Sequence, residues 1–314
     1  MSLEAASFVL HMAVRSGTPL LLGTVGEIYA ERSGVMNLGI EGIMLVGAIT
    51  GFAVALATGQ IWLGFLAASL AGLALALIHA FASITLYANQ VVSGLALTML
   101  GTGLSSLMGR GYVEEALPPS MRILPVPVPG LSELPVIGRG LFHQDPIAYL
   151  ALGLALASWF VLYKTSWGIA IRAVGDDPAS ADAMGINVYR VRYTCVAFGG
   201  AMAGLAGAYL SLVFTPGWTE GMTVGRGWIV IALVVFALWD PLKAIVGAYL
   251  FGGAEALRYQ PFIRAMGIES SLLDMLPYVA TILAMLVGVS EALRKRIGAP
   301  AALGKPYIRE EKVI

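Results

Sequence analysis

Acidic and amide side chains stand near the start of two strongly apolar stretches, where they could bind a solute. Asn37 and Glu41 lie four residues apart, so a helix would place them on one face. Asn89 and Gln90 open the run NQVVSGLALTMLGTGLSS, in which Ser93 is the first of several hydroxyls. Polar groups inside a membrane are costly and usually face a cavity or a partner. These five residues are therefore candidates for the wall of a solute path.

Each candidate also has a purely structural interpretation. Glu41 could cap or pair with a neighbouring group near the cytoplasmic interface, and the Ser and Thr hydroxyls could join neighbouring helices. His79 is more typical of a hydrogen-bonded packing residue than of a proton carrier, and Glu255 is a weaker path candidate. A broken helix around Glu41, with backbone groups free to meet a polar ligand, is indicated by Gly34, Gly39 and Gly42.

A polar stretch, GIAIRAVGDDPASADAMGINV at 168–188, separates two apolar runs and has marked helix ends. Asp177 is a good N-cap, Pro178 suits the first helical position, and Gly185 can adopt the left-handed conformation that ends a helix. Asp176 and Asp177 would lie where the helix dipole favours negative charge. The pattern predicts a short rigid helix over 178–184 that fits a partner's groove, with an ordinary cytoplasmic loop as the alternative.

The sequence contains no set of residues typical of an enzyme or a metal site. HExxH, GxSxG and a histidine beside a carboxylate pair do not occur, and no Gly-Lys pair continues to Ser or Thr as a phosphate-binding loop requires. The chain has 3 histidines and 1 cysteine, Cys195, which excludes an intrachain disulfide. We expect no catalytic residue, metal or cofactor in this chain; ATP and Mg would be bound by another subunit.

The composition is that of an α-helical protein that crosses a membrane several times. Mean hydropathy is +0.81 and 12% of residues are charged, against about 25% in soluble domains. The net charge of zero gives no basic surface for nucleic acid. The apolar runs are continuous and of helix length, unlike the alternating segments of a β-barrel. They cover 7–30, 36–59, 61–87, 90–109, 146–164, 191–213, 227–239, 241–258 and 274–290.

Several of these runs are too short or too rich in glycine to be simple spans. The run 227–239 ends at Trp239-Asp240-Pro241, which predicts a re-entrant or broken helix pair. Close helix packing is indicated by two GxxxG pairs, Gly47 with Gly51 and Gly200 with Gly204. We expect one membrane domain over 1–314 with about eight to ten spans, some of them broken.

The positive charges predict how the domain is oriented. The cluster Arg294-Lys295-Arg296 places the tail 291–314 in the cytoplasm, and alternation then places 165–190 inside as well. The same alternation puts 110–145 outside, and with nine spans it puts the N-terminus outside as well. Six prolines make 110–145 extended, either as a passive cover or as a docking surface. The start SFVLHMAV lacks the features of a signal peptide, so we treat it as mature sequence.

Five separated motifs, in order, resemble the permease subunits of bacterial ABC importers, most closely the nucleoside or simple-sugar type among relatives of the branched-chain amino acid and ribose permeases. The motifs span nearly the whole chain: ERSGVMNLGIEGIMLVGA, NQVVSGLALTML, RAVGDDPASADAMGINVYRVRY, GRGWIVIALVVFALWDPL and APAALGKPY. The one departure is Gly175-Asp176-Asp177-Pro178, where many relatives carry Gly-x-Asn-Pro or Gly-Glu-x-Pro. Since Asp caps a helix as well as Asn does, the departure leaves the capping intact.

The resemblance implies a type II-like ABC permease in the bacterial cytoplasmic membrane that imports a nucleoside, with a sugar or another ribosyl compound as the alternative. Its partners would be an ATPase subunit, a second homologous permease and an extracellular solute-binding protein. The resemblance assigns coupling to the ATPase to Gly175, Asp176, Asp177, Pro178, Ala179, Asp182 and Gly185. The alternatives are an intramembrane enzyme, for which the sequence lacks a convergent catalytic set, and an ion-coupled carrier working alone. Such a carrier would want several acidic residues deep in its spans, where only Glu41 and Glu255 come close, and it does not require a capped cytoplasmic helix.

Overall fold

The computed structural model is a bundle of α-helices with one two-residue hairpin. It describes residues 3–113, 115–257 and 299–309, together with Met275 and Val279. Within these residues, six helices are long and apolar enough to cross a membrane, which confirms an all-α polytopic protein. The helices are α1 (Leu3–Arg32), α2 (Ile40–Thr58), α3 (Ile61–Ala80), α4 (Gln90–Gly109), α5 (Ile137–Leu141), α6 (Pro146–Lys164), α7 (Ser166–Asp176), α8 (Pro178–Ala183), α9 (Val188–Tyr209), α10 (Arg226–Phe236) and α11 (Pro241–Leu257).

The helix boundaries agree with most of the predicted apolar runs. Helices α4 and α6 coincide with the runs 90–109 and 146–164, and α10 is a half-length helix of 11 residues, as the interrupted run predicts. The run 36–59 is helical only from Ile40, and the residues before it form a break of the kind that Gly34, Gly39 and Gly42 predicted. The run 274–290 and the cluster Arg294-Lys295-Arg296 lie outside the described residues, apart from Met275 and Val279.

Helix α9 is the most buried span, and glycines bring its backbone against α2 and α3. A Cβ added at Gly204 would lie 2.1 Å from the carbonyl oxygen of Ala68, and one at Gly47 would lie 2.5 Å from that of Gly204. A Cβ at Gly72 of α3 would lie 2.2 Å from the carbonyl oxygen of Gly200. Packing between helices in lipid depends on such close approach of backbones. Both predicted glycine pairs therefore serve helix contact.

The outer helices expose broad apolar faces. In α3 and α4 only 33% and 22% of the most apolar window is buried, against 78% in α9. The exposed side chains are large and apolar, as contact with lipid tails requires; they include Trp62, Leu66, Leu70, Val92, Met99 and Leu107.

Several helix ends meet around Arg32, the last residue of α1. Its guanidinium donates to the carbonyl oxygens of Leu238 and Trp239 and to the hydroxyl of Tyr163, near the end of α6. Helices α7 and α8 and residues 299–309 lie at this same end of the bundle, which we call the α8 end.

The opposite end carries the proline-rich residues 110–145. Their described part contains α5, one short 3₁₀ turn and a hairpin of β1 (Val126–Pro127) with β2 (His143–Gln144). Bridges from Val113 to Trp218 and from Ala116 to Gly217 hold this segment against the residues that follow α9. The described part of the segment has no long helix, as expected, but it is folded into turns and α5 between 129 and 141 and is not extended throughout.

Candidate functional site

The connection between α1 and α2 is an extended break that lies alongside α4. Gly34 adopts φ 91°, which a residue with a side chain rarely adopts, and so turns the chain away from α1. The N–H groups of Ser33, Gly34 and Val35 still donate to the last carbonyls of α1. Residues 36–39 then continue without helical hydrogen bonds until α2 begins.

Side chains from other helices satisfy the backbone of this break. The N–H of Met36 donates to Oε1 of Gln90 at 2.8 Å, and the N–H of Asn37 donates to Oε1 of Glu27 at 2.9 Å. His79 Nε2 lies 3.0 Å from the carbonyl oxygen of Met36. Because lipid offers no hydrogen bonds, non-helical backbone at membrane depth persists only where protein or trapped water supplies them. These side chains keep the break ordered.

Two of the predicted path residues, Gln90 and Asn37, accept hydrogen bonds from the backbone of this break. Gln90 is buried and uses its carbonyl oxygen on Met36, and Asn37 Oδ1 accepts from the N–H of Gly39 at 2.9 Å. Ser93 Oγ lies 3.0 Å from His79 Nδ1 and so orients the imidazole. Within the described part of the chain, Nε2 of Gln90 has no hydrogen-bond partner. One buried donor of the cluster is therefore available to a polar group.

Glu41 caps the N-terminus of α10 in the interior of the bundle. Its Oε1 accepts from Thr223 Oγ1 at 2.5 Å and from the N–H of Gly225 at 3.0 Å, and its Oε2 accepts from the N–H of Gly227 at 2.6 Å. A helix N-terminus carries unpaired N–H groups and a positive dipole end, so a carboxylate stabilises it. The interpretation of Glu41 as a capping residue agrees with these contacts, and the cap lies inside the bundle.

The position of α10 shows how deep this cap lies. Val230, one turn beyond the start of α10, packs against Gly23, the 21st of the 30 residues of α1. The other end of α10 leads to Trp239, whose carbonyl oxygen accepts from Arg32. Helix α10 therefore spans only the half of the bundle nearer the α8 end.

Two buried acids of α1 were missing from the predicted site. Glu27 holds Asn37, as above, and Oε2 of Glu31 accepts from Trp239 Nε1 at 2.6 Å. These two carboxylates are four residues apart and fasten the α1–α2 break and the α10–α11 turn to the same helix. Their spacing beside an apolar run was a signal in the sequence that could have found them.

Two other candidates have local partners. Asn89 is exposed, and its Oδ1 accepts from the N–H groups of Val91 and Val92, so it is the N-cap of α4. Glu255 forms an ion pair with Arg226, the first residue of α10. These contacts account for both side chains without a solute.

The predicted capped helix exists as α8. Asp177 Oδ1 accepts from the N–H groups of Ala179 and Ser180 at 3.1 Å, and Gly185 follows with φ 85°. Hydrogen bonds from Ser180 lower the pKa of Asp177 below its ordinary value of 3.8, so the cap is ionised at neutral pH. The helix ends at Ala183, one residue before the predicted end.

Asp176 does not lie at the start of α8. It is the last residue of α7, an 11-residue helix that was not predicted, so its charge lies at the unfavourable end of that helix's dipole. The prediction for Asp176 was wrong because Asp177, in extended conformation with φ −145°, separates the two helices.

The residues assigned to coupling divide into an inner and an outer set. Gly175 is buried, and a Cβ there would lie 2.0 Å from the carbonyl oxygen of Arg32; Asp182 points to residues 299–309. Pro178 is half-buried. The exposed members are Asp176, Asp177, Ala179 and Gly185, joined by Met184, which the prediction did not single out and which is 83% exposed.

Residues 299–309 bind three parts of the α8 end. The N–H of Ala302 donates to the carbonyl oxygen of Gly175 at 2.9 Å, and that of Gly304 donates to the carbonyl oxygen of Gly34 at 3.2 Å. Buried Arg192 of α9 joins the carbonyl oxygens of Ser33 and Lys305. This segment therefore links α7, α9 and the α1–α2 break.

Residues 9–286 match the family model of the branched-chain amino acid transport system permease component. The chain belongs to this permease family. It is a membrane-spanning transport subunit, as the resemblance implied.

Named relatives cover the same length. The chain is 44% identical to "Putative glucose ABC transporter permease protein TsgC13" of Haloferax volcanii, over 97% of this chain and 98% of the relative. It is 36% identical to the guanosine ABC transporter permease protein NupQ of Bacillus subtilis, over 98% and 99%. The nucleoside ABC transporter permease protein NupC of Lactococcus lactis is 33% identical, over 96% and 97%. No solved structure matches the permease.

Proposed function

We propose that the permease forms half of the translocation path of an ATP-driven importer for nucleosides, in which α8 receives the motion of a separate ATPase subunit. The observation that carries this proposal is α8 itself. A helix capped at both ends projects from the bundle, and its exposed residues are free for a partner. The relatives that match nearly the full length of the chain are named as ABC permeases, which supports an ATPase subunit as this partner.

The contacts of α8 support the transmission of force. Ala181 on the inner face of α8 is buried, and Gly175 of the preceding helix α7 packs its backbone against Arg32, the end of α1. Movement of α8 therefore shifts the end of α1, which continues into the break that holds Asn37. Because packed helices move as rigid bodies and hinge at a few terminal residues, the break at Gly34 is the expected hinge.

The substrate class rests on the relatives. Two of those at 33% identity or more are named for guanosine or nucleoside transport, which supports a nucleoside. The relative at 44% identity is named for glucose, so a sugar is the second candidate. A hydrogen-bonding solute of either class suits a path bordered by amides and hydroxyls such as Gln90 and Ser93.

The assembly follows from the same proposal. This chain, as a transport subunit, leaves ATP and Mg to the ATPase, pairs with a second homologous permease and receives the solute from an extracellular binding protein. The α8 end, with Asn37, Glu41 and Gln90 deeper in the bundle, would then face the bacterial cytoplasm. The proline-rich residues 110–145 would face outside, where the binding protein docks.

The test begins with the tagged permease purified from its native membranes, with its partners identified by mass spectrometry. The complex and the solute-binding protein are then reconstituted in liposomes, and uptake of labelled guanosine, adenosine, ribose and glucose is measured with and without ATP. ATP-dependent uptake of nucleosides is the expected result. Uptake of glucose alone would support an ATP-driven importer but show that its substrate is a sugar. A complex without an ATPase would overturn the proposal.

A further inference from the structure

We infer that the ATPase subunit binds a composite surface, made of the exposed face of α8 and of residues 305–309, which Asp182 holds side by side. This inference rests on the proposed function and adds a second element to the docking surface. We define the composite surface by its exposed residues, which are Ala179 and Ala183 of α8, Met184 directly after it, and Lys305, Ile308 and Arg309.

Asp182 is the joint between the two parts. Its Oδ2 accepts from the hydroxyl of Tyr307 at 3.0 Å and lies 3.0 Å from Nε of Arg309. Burial, followed by the contact with Asp182, raises the pKa of Tyr307, so its hydroxyl remains a donor at physiological pH. Two donors on one carboxylate oxygen fix the segment against α8.

The other end of the segment is anchored in the bundle. Ala302 is buried and its N–H donates to α7, while the N–H of Gly304 donates to the carbonyl oxygen of Gly34 in the α1–α2 break. The carbonyl oxygen of Lys305 accepts from buried Arg192. Residues 305–309 are therefore a fixed strap from the break to α8, so they can present a defined surface.

The exposed residues of this surface have the chemistry of a protein contact. Met184 is 83% exposed and Ile308 is 37% exposed, although both lie outside the membrane-spanning helices. Apolar side chains next to charges outside the bilayer mark a contact with protein, and methionine adapts to such contacts. Arg309, 71% exposed despite its contact with Asp182, adds a cation. The surface fits an apolar pocket of the ATPase bordered by carboxylates.

The ATPase is the expected partner of residues 305–309, because these residues lie directly beside α8. A partner that covers Met184, the residue after α8, lies two positions from Asp182 and so comes close to the residues bound to Asp182. Force applied at residues 305–309 also has a short route into the membrane, through Gly304 and Arg192 to Ser33 and Gly34. The strap would thus carry motion of the ATPase to the break in parallel with α1 and α9.

Photo-crosslinking in the assembled transporter tests the composite surface. A benzophenone maleimide is attached to Met184→Cys, Ile308→Cys or the control Leu124→Cys, which is exposed at the opposite end. The single native cysteine, Cys195, is buried, so it does not compete for the label. We expect adducts with the ATPase from positions 184 and 308 and none from 124.

The other outcomes are distinguishable. An adduct with the ATPase from 184 alone, or a lipid adduct from 308, would overturn the composite surface and leave the proposed function intact. No ATPase adduct from either position would overturn both. In a second measurement, Asp182→Ala should abolish the 308 adduct and retain the 184 adduct, while the control Glu133→Ala changes neither. Persistence of the 308 adduct in Asp182→Ala would overturn the role of Asp182.

Discussion

Glu41 accepts a hydrogen bond from the N–H of Gly227, 186 positions later in the chain, and thereby fastens α2 to the start of α10. The contact leaves no room for a larger residue, since a Cβ at Gly227 would lie 2.5 Å from the backbone nitrogen of Glu41. The half-helix α10 thus begins on a carboxylate rather than on a solute. A negatively charged solute would have to displace Glu41 to use that helix end.

We expect Glu41→Ala to be strongly destabilising, because it leaves two buried donors and one part-buried donor without this acceptor. Hydrogen bonds to charged groups contribute about 1.5–3 kcal/mol each, so a loss of about 3 kcal/mol or more in the free energy of unfolding is expected. Glu41→Gln retains one acceptor oxygen and should lose less. Thermal unfolding in detergent ranks the stabilities of wild type and the two variants. The control is Glu133→Gln at an exposed position, which should leave the stability unchanged. Equal stability of Glu41→Ala and wild type would contradict this cap.

Substitutions at the neighbouring residues Asn89 and Gln90 should affect transport differently. Asn89→Ser keeps an N-cap of similar strength, so transport should be retained. Gln90→Leu removes the acceptor for the N–H of Met36 in the break, which costs about 1–3 kcal/mol and should reduce transport at unchanged expression. Solute uptake is measured for both variants and compared with that of wild type. A transport defect in Asn89→Ser with an unaffected Gln90→Leu would reverse the assignment.

The difference between these neighbours shows what sequence reasoning can and cannot resolve. Asp177, Pro178 and Gly185 predicted α8 correctly because a cap and a helix end depend on residues a few positions apart. Glu41 and Gln90 were singled out from the sequence as candidates for a solute path, which stays a prediction. Their partners, Gly227 and Met36, could not be predicted, because those contacts join segments far apart in the chain.

The same limit explains the predictions that failed. Asp176 was placed at the start of α8 because nothing in the sequence marked the end of α7 one residue before Asp177. Gly34, Gly39 and Gly42 predicted the break before α2, but the contacts by which Glu27, Gln90 and His79 satisfy its backbone are visible only in the fold. The sequence did not predict that residues 299–309 link the α1–α2 break to α8, because their hydrogen bonds to Gly34 and Asp182 are visible only in the fold.

Gly175→Ala tests whether α7 packs directly on α1. The new Cβ would lie 2.0 Å from the carbonyl oxygen of Arg32, and backbone cannot yield as a flexible side chain can. Overpacking of this kind typically costs about 1–3 kcal/mol. The matched control is Gly153→Ala in α6, where no atom lies within 4 Å and the change should be neutral or stabilising by about 0.5–1 kcal/mol. Melting temperatures that fall equally in both variants would rule out the specific contact.

Asp177 should matter for coupling through its acceptor oxygen and not through a pH-dependent charge. Its pKa is lowered below 3.8, so the stabilising carboxylate is present at pH values above that range and is lost only as pH falls through the lowered pKa. Asp177→Ala removes the cap and should lower solute-stimulated ATP hydrolysis and uptake together, whereas Asp177→Asn should retain both. The ratio of solute imported to ATP hydrolysed should be flat from about pH 6 to about pH 8 in wild type, where the carboxylate is fully ionised. A change in this ratio over that pH range that disappears in Asp177→Asn would show that the residue titrates there, and full coupling in Asp177→Ala would show that the cap of α8 is dispensable.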